Sequence, residues 1–128
     1  MYSDRARADV YEGLIETARC LLEAGFNVIV DASFLRQSDR QLVVALAERL
    51  DVSFVFVDTN ADNAELERRL KKRTATGQNA SDANIEVLRY QNDHSDPLTL
   101  AERKKTVFVA TDSALDTGHV IKSLKRMW

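Results

Sequence analysis

The sequence predicts an α/β protein built around a mainly parallel sheet of about three strands. Three observations carry that expectation. Helix-like and strand-like segments alternate along the chain. The strand-like segments are short, continuous apolar runs, the pattern of strands covered on both faces. The chain has 128 residues, 45% of them apolar, which suffices for one core; no repeat, low-complexity tract or linker marks a second one. The expectation is a single domain over 1–128.

Residues 4–24 read as one amphipathic helix, with Val10, Leu14, Ile15, Ala18, Leu21 and Leu22 at helical spacing. Ser3 or Asp4 can cap its start, and Gly25 stops it. Phe26-Asn27-Val28-Ile29-Val30-Asp31-Ala32 is too short for a helix and reads as a strand buried on both faces. Residues 38–50 form the second helix: Ser38 and Gln41 have capping-box spacing, and Leu42, Val43, Leu46, Ala47 and Leu50 make its apolar face. Val52-Ser53-Phe54-Val55-Phe56-Val57-Asp58 is the second strand. Residues 62–75 make a charged helix containing Glu65, Glu67, Arg68, Arg69, Lys71, Lys72 and Arg73. Thr76-Gly77-Gln78-Asn79 breaks it, and Ser81 caps a helix at 82–92. Pro97 opens a loop or short helix through Glu102, Thr106-Val107-Phe108-Val109-Ala110 is the third strand, and a helix at 117–127 closes the chain.

Composition excludes several classes. Lys and Arg number 18 against 20 Asp and Glu, a net charge of -2, without the basic excess of a general nucleic-acid binder. No apolar run approaches the roughly 18 residues of a membrane span. The start, Met1-Tyr2-Ser3-Asp4-Arg5, has no apolar signal core, and one cysteine, Cys20, cannot form an internal disulfide. These point to the cytoplasm. Cys20, beside Leu21 and Leu22, reads as a packed residue; His94 and His119 are isolated from metal-ligand partners. The four glycines, Gly13, Gly25, Gly77 and Gly118, are far apart, so neither a GxxxxGK[ST] phosphate loop nor a GxGxxG turn exists within the chain.

Ligands of open α/β sheets bind at the carboxyl ends of the strands. Asp31 ends the first apolar run, in the manner of a Walker B acid that holds Mg²⁺; an acid that starts a turn gives the same pattern. Asp58 ends the second run and reads as a turn or cap. Arg36 and Arg40 follow Asp31, where a guanidinium fork suits phosphate or carboxylate, or merely decorates a solvated helix start. Arg69 and Arg73 share a helix face, with Arg68 and Lys72 beside them and Glu65 four residues before Arg69. A basic helix followed by a polar, glycine-containing loop is the makeup of a lid that closes on phosphates, and also of a solvated face.

Taken together, Tyr11, Leu14, Ala18, Leu21-Leu22, Ala24-Gly25, Val28-Ile29-Val30-Asp31-Ala32-Ser33-Phe34-Leu35 and Arg40 resemble a group of P-loop kinases of the AAA-domain, zeta-toxin-like kind, often fused to aminoglycoside-phosphotransferase-like domains. Arg69-Leu70-Lys71-Lys72-Arg73, Ala80-Ser81-Asp82-Ala83 and Gln91 extend the resemblance over nearly the whole chain. It implies a three-layer P-loop-NTPase-like fold and a nucleoside-triphosphate-dependent phosphotransferase using ATP and Mg²⁺. By position, Asp31 resembles the Walker B acid and Mg²⁺ ligand, Arg36 and Arg40 fall on the acceptor side, and Arg69 and Arg73 resemble lid arginines that stabilise the transferring phosphoryl group.

The departure from the family is large. The chain starts where such a kinase is past its first strand, its Walker A loop and its second strand, so it reads as the distal part of the domain, truncated at the N-terminus. No Lys here has a glycine-rich loop to position it, and the amide cradle for phosphates is missing. The expectation is a kinase-like domain that neither binds ATP nor catalyses transfer alone and that needs a missing N-terminal segment or fused domain. The alternative is a non-catalytic remnant serving as an oligomerisation or binding module. Loss of the Walker A strand would leave the first and second strands with unpaired edges. They would then pair directly, or a second copy of the chain would supply the neighbour, which makes a homo-oligomer the expected state. No nucleic-acid or membrane partner is expected.

Overall fold

Apolar residues at helical spacing produce the first helix of the computed structural model, α1 (Asp4–Glu23), with Tyr11 and Ala18 buried. The structure describes residues 4–75, 86, 89–91, 93–112 and 114–127. They fall into two compact units, Met1–Phe54 and Val55–Trp128. None of the described helices is long and apolar enough to cross a membrane.

In the first unit α1 ends as the sequence predicts. The Phe26 amide donates to the Leu21 carbonyl and the Gly25 amide to the Leu22 carbonyl, each at 3.0 Å. This paired closure places Gly25 in the left-handed region, with φ 92°. A Cβ added there would meet nothing within 4 Å. The Gly25→Ala substitution therefore carries a conformational penalty and no clash. Its expected cost is about 1 kcal/mol, read from the urea-unfolding midpoint.

Helix α2 (Gln37–Leu50) packs on α1 and buries Leu46 and Ala47 together with Asp39 and Arg40. It begins one residue before the sequence-based boundary. Arg36 occupies the N-cap in extended geometry with no side-chain cap, so Ser38 lies inside the helix and the capping box expected from Ser38 and Gln41 does not form at its start. The helix closes through Asp51 in the left-handed region, φ 52° and ψ 47°. Here the Val52 amide reaches the Ala47 carbonyl at 3.0 Å.

The expected first strand is corrected by the structure. Among the described residues the ladder pairing is that of the two strands in the second unit, and residues 26–32 belong to no ladder. Burial along this segment alternates, with Val28, Val30 and Ala32 half-buried and Asn27, Ile29 and Asp31 exposed. Period two is that of an extended chain covered on one face. The continuous apolar run signals burial on two faces, and only one is covered.

The second unit holds strands β1 (Phe56–Asn60) and β2 (Thr106–Ala110), paired in parallel with Phe56 opposite Thr106 and Asn60 opposite Ala110. The α/β class and the parallel pairing agree with the sequence. The expected count of about three strands becomes two among the described residues. β2 has the predicted bounds. β1 is displaced from the expected 52–58, because pairing begins where β2 begins: the Phe56 amide donates to the Lys105 carbonyl at 2.8 Å. Val52-Ser53-Phe54-Val55 precede the partner's first residue, and Asp58 lies mid-strand instead of ending it.

A parallel pair requires a crossover. Helix α3 (Asn63–Ala75) and helix α4 (Leu100–Lys104) lie within it. Thr99 caps α4 in a complete capping box: the Glu102 amide donates to Thr99 Oγ1 at 3.1 Å, and Glu102 Oε1 accepts from the Thr99 amide at 2.9 Å. Buried Thr106 then donates its hydroxyl to the Glu102 carbonyl at 2.6 Å, tying the helix end to the strand start. Helix α5 (Thr117–Met127) packs on β2. The polar break at 76–79, Ser81 and the segment Ala80-Ser81-Asp82-Ala83 lie outside the described residues. So does much of the expected helix at 82–92, of which 86 and 89–91 are described and helical.

Candidate functional site

The sequence places the candidate residues on both units, and each group is built within its own. In the first unit the centre is the turn after Asp31. The Asp31 carboxylate is exposed. Three residues later Phe34 adopts φ 46°, a left-handed conformation that is strained for a bulky L-residue.

Two buried side chains hold that turn. Tyr11, from α1, accepts a hydrogen bond from the Phe34 amide at 3.0 Å and shares one with Ser33 Oγ at 3.2 Å. Its ring lies against the Phe34 ring, with centroids 5.2 Å apart and planes tilted by 56°. Arg40, from the first turn of α2, is only 3% exposed; its Nη1 donates to the Phe34 carbonyl at 2.9 Å and to the Leu35 carbonyl at 3.2 Å. The turn is thus gripped at its amide by α1 and at its carbonyls by α2.

Asp39, next to Arg40, is also buried, at 4% exposure, and both its carboxylate oxygens accept from Arg7 Nη1. This ion pair joins α1 to α2. Arg36 stands apart from it. Its Nη2 donates to Asp4 Oδ1 at 2.8 Å, with side chains 38% and 78% exposed, a surface pair worth at most about 1 kcal/mol. Of the two arginines expected on the acceptor side, Arg36 is therefore reachable from solvent, and Arg40 is turned onto backbone carbonyls.

In the second unit the candidates lie on α3. Arg69 is half-buried, and its guanidinium reaches the carboxyl end of the sheet. Nη2 donates to the Thr111 carbonyl and Nη1 to Thr111 Oγ1 at 3.3 Å. Thr111 in turn donates its amide, at 2.7 Å, and its hydroxyl, at 3.0 Å, to the Asn60 carbonyl at the end of β1. Arg69 therefore clamps α3 to both strand ends, where ligands of parallel sheets bind. Arg73, one turn on, is exposed in the last turn of the helix.

Glu65 organises the start of this basic face. It accepts from Arg68 Nε and Nη2 at 2.8 Å and from Arg69 Nε at 2.9 Å. The hydrogen bond from Arg68 is the largest cause of its lowered pKa; desolvation opposes it, and the Arg69 hydrogen bond and the charges of both arginines add to it, so the carboxyl falls from 4.5 to about 2. A carboxyl whose pKa is lower folded than unfolded stabilises the fold above its unfolded pKa and stops doing so as pH falls through its folded one. The pairing is thus expected to persist at pH 5 and to fade between pH 4.5 and about 2. Circular dichroism across this range should show an acid loss of helix in the parent that is smaller in Glu65→Gln.

Sequence reasoning did not find Tyr11, Arg7 with Asp39, or Thr111. Tyr11 enters only among the residues that carry the family resemblance, with no role given to its hydroxyl, and Thr111 shows only as a residue past a strand. The capping box was visible in the spacing of Thr99 and Glu102. Metal capacity is modest: no group of three or more His, Cys, Asp or Glu side chains suited to a metal occurs among the described residues. A lone carboxylate such as Asp31 fits Mg²⁺ of the kind that keeps most of its waters and takes further oxygens from phosphates.

Comparison with known proteins places these residues in a family. No curated protein and no solved structure matches the chain. A family described as an AAA domain matches residues 1–98, a span containing α1, α2, β1, α3, Asp31 and all four candidate arginines. With most of its length matched, the chain belongs to this AAA-domain family of P-loop kinase-like proteins.

Proposed function

We propose that the chain carries the acid and arginine portion of a nucleoside-triphosphate-dependent phosphotransferase and does not transfer phosphate by itself. One observation carries this reading: the family match spans residues 1–98, yet the four glycines leave no phosphate loop within the 128 residues. Backbone amides and a loop lysine supply much of the charge stabilisation in such reactions. A chain without them has to receive that cradle from elsewhere, in an adjoining segment or a fused domain.

In this reading ATP and Mg²⁺ are the cofactors, and they supply the phosphoryl group and the charge that neutralises it. Asp31 holds the metal through its exposed carboxylate. Tyr11 and Arg40 keep the Asp31 turn in place, so Arg40 serves the acceptor side through the backbone it grips. Arg36 recognises an acceptor phosphate or carboxylate by its fork. Arg69 and Arg73 stabilise negative charge on the transferring group.

Reading the coding DNA around Met1, then assaying the full natural product for ATP-dependent phosphotransfer, tests this proposal. A GxxxxGK[ST] segment in frame or in an adjoining gene, with activity that needs both parts, is the expected result. Lack of such a segment would overturn it in favour of a non-catalytic remnant acting as an oligomerisation or binding module. That second reading draws on the 26–32 segment, which has no ladder partner among the described residues and exposes Ile29 at 95%.

A further inference from the structure

The segment after Gly25 combines three properties that rarely stay together in a water-exposed chain. Its burial alternates as in an extended strand, with Val28 and Val30 on the covered side. Its outward side presents Ile29 at 95% exposure, and Phe26, at the start of the segment, is 62% exposed. Among the described residues none hydrogen-bonds to residues 27–32, so no described strand occupies the segment's backbone edge. Open apolar edges pair with other strands.

We infer that this edge is completed by the same segment of a second copy of the chain, paired antiparallel about a two-fold axis through Ile29. Self-pairing in that register satisfies the local chemistry. Ile29 faces its own counterpart, Val28 faces Val30, and Phe26 faces Ala32. The one charge in the segment, Asp31, falls opposite Asn27, an amide that can donate to a carboxylate, so no like charges oppose each other. A two-fold interface requires such self-complementarity. Shifting the register by one residue would move the outward apolar residues onto the other face. The inference shares Asp31 with the phosphotransferase reading, but its test reads only oligomeric state and register, so the two can fail separately.

The test uses the full chain. Light scattering with size-exclusion chromatography should give a dimer mass at tens of micromolar, and Ile29→Lys should weaken the dimer on the order of a hundredfold, through two lost apolar burials and two opposed charges. Ile29 is solvent-exposed, so this variant leaves the packing within one chain alone. The register is tested in a Cys20→Ala background, which removes the exposed native thiol. Directly paired positions lie about 4.5–5.5 Å apart between Cα atoms, within disulfide reach. Ile29→Cys should therefore cross-link under mild oxidant. Asn27→Cys should not, its two copies being on the order of 13 Å apart in this register. A monomeric parent, a dimer indifferent to Ile29→Lys, or cross-linking through Asn27→Cys in place of Ile29→Cys would each overturn the inference.

Discussion

Replacing Arg40 with alanine is expected to destabilise the first unit by about 3 kcal/mol. The guanidinium is 3% exposed and holds the Phe34 and Leu35 carbonyls. Its removal takes away two charge-assisted hydrogen bonds and leaves a cavity between α2 and the turn. The turn is already strained at Phe34, φ 46°, so it has no reserve with which to keep its shape. Arg40→Lys should recover only part of the loss, because one ammonium cannot reproduce the planar fork. Urea unfolding of the three proteins measures the series. A change below about 0.5 kcal/mol in Arg40→Ala would mean that the turn is held by Tyr11 alone.

The second large effect lies next to it. Asp39→Ala strands the Arg7 guanidinium, which reaches both oxygens of a carboxylate only 4% exposed. Removing one partner of a fully buried pair costs about 3 kcal/mol or more, and because the Arg7 side chain keeps 26% exposure the expected loss here is about 2 kcal/mol. Among the described residues Arg7 Nε has no acceptor, which adds to the desolvation that the pair must offset. The double variant Arg7→Met with Asp39→Leu should therefore regain most of the stability lost by Asp39→Ala. A double variant as unstable as the single one would show that the pair contributes net attraction that packing cannot replace. Asp39 and Arg40 are neighbours, so their effects are expected to be non-additive.

Much of this architecture is legible in the amino acids because it depends on local periodicity. The bounds of α1, α3 and α5 follow from apolar spacing, from Gly25 and from the charged run around Arg69. β2 is legible for the same reason: five apolar or β-branched residues follow a helix end. What escapes is whatever depends on a partner far along the chain. The start of β1 is fixed by Lys105, some fifty residues away in sequence, and not by the apolar run that begins at Val52. The same holds at the candidate site. Asp31 and Arg36 stand out by residue type and order. That Arg40 grips a turn and Arg69 clamps Thr111 depends on side-chain direction, which residue spacing does not encode. The 26–32 run shows both halves of this lesson, since its composition reports a demand for burial and says nothing of which neighbour meets it.

The central claim is that these 128 residues hold the acid and arginines of a kinase-like site without the phosphate cradle. Titration calorimetry of the purified chain with ATP and Mg²⁺ tests it most directly. The account predicts no tight binding, because the sequence contains no glycine-rich phosphate loop with its lysine to hold the β- and γ-phosphates. Stoichiometric binding of Mg²⁺-ATP with sub-micromolar Kd would contradict it, and would place a complete nucleotide site within the chain.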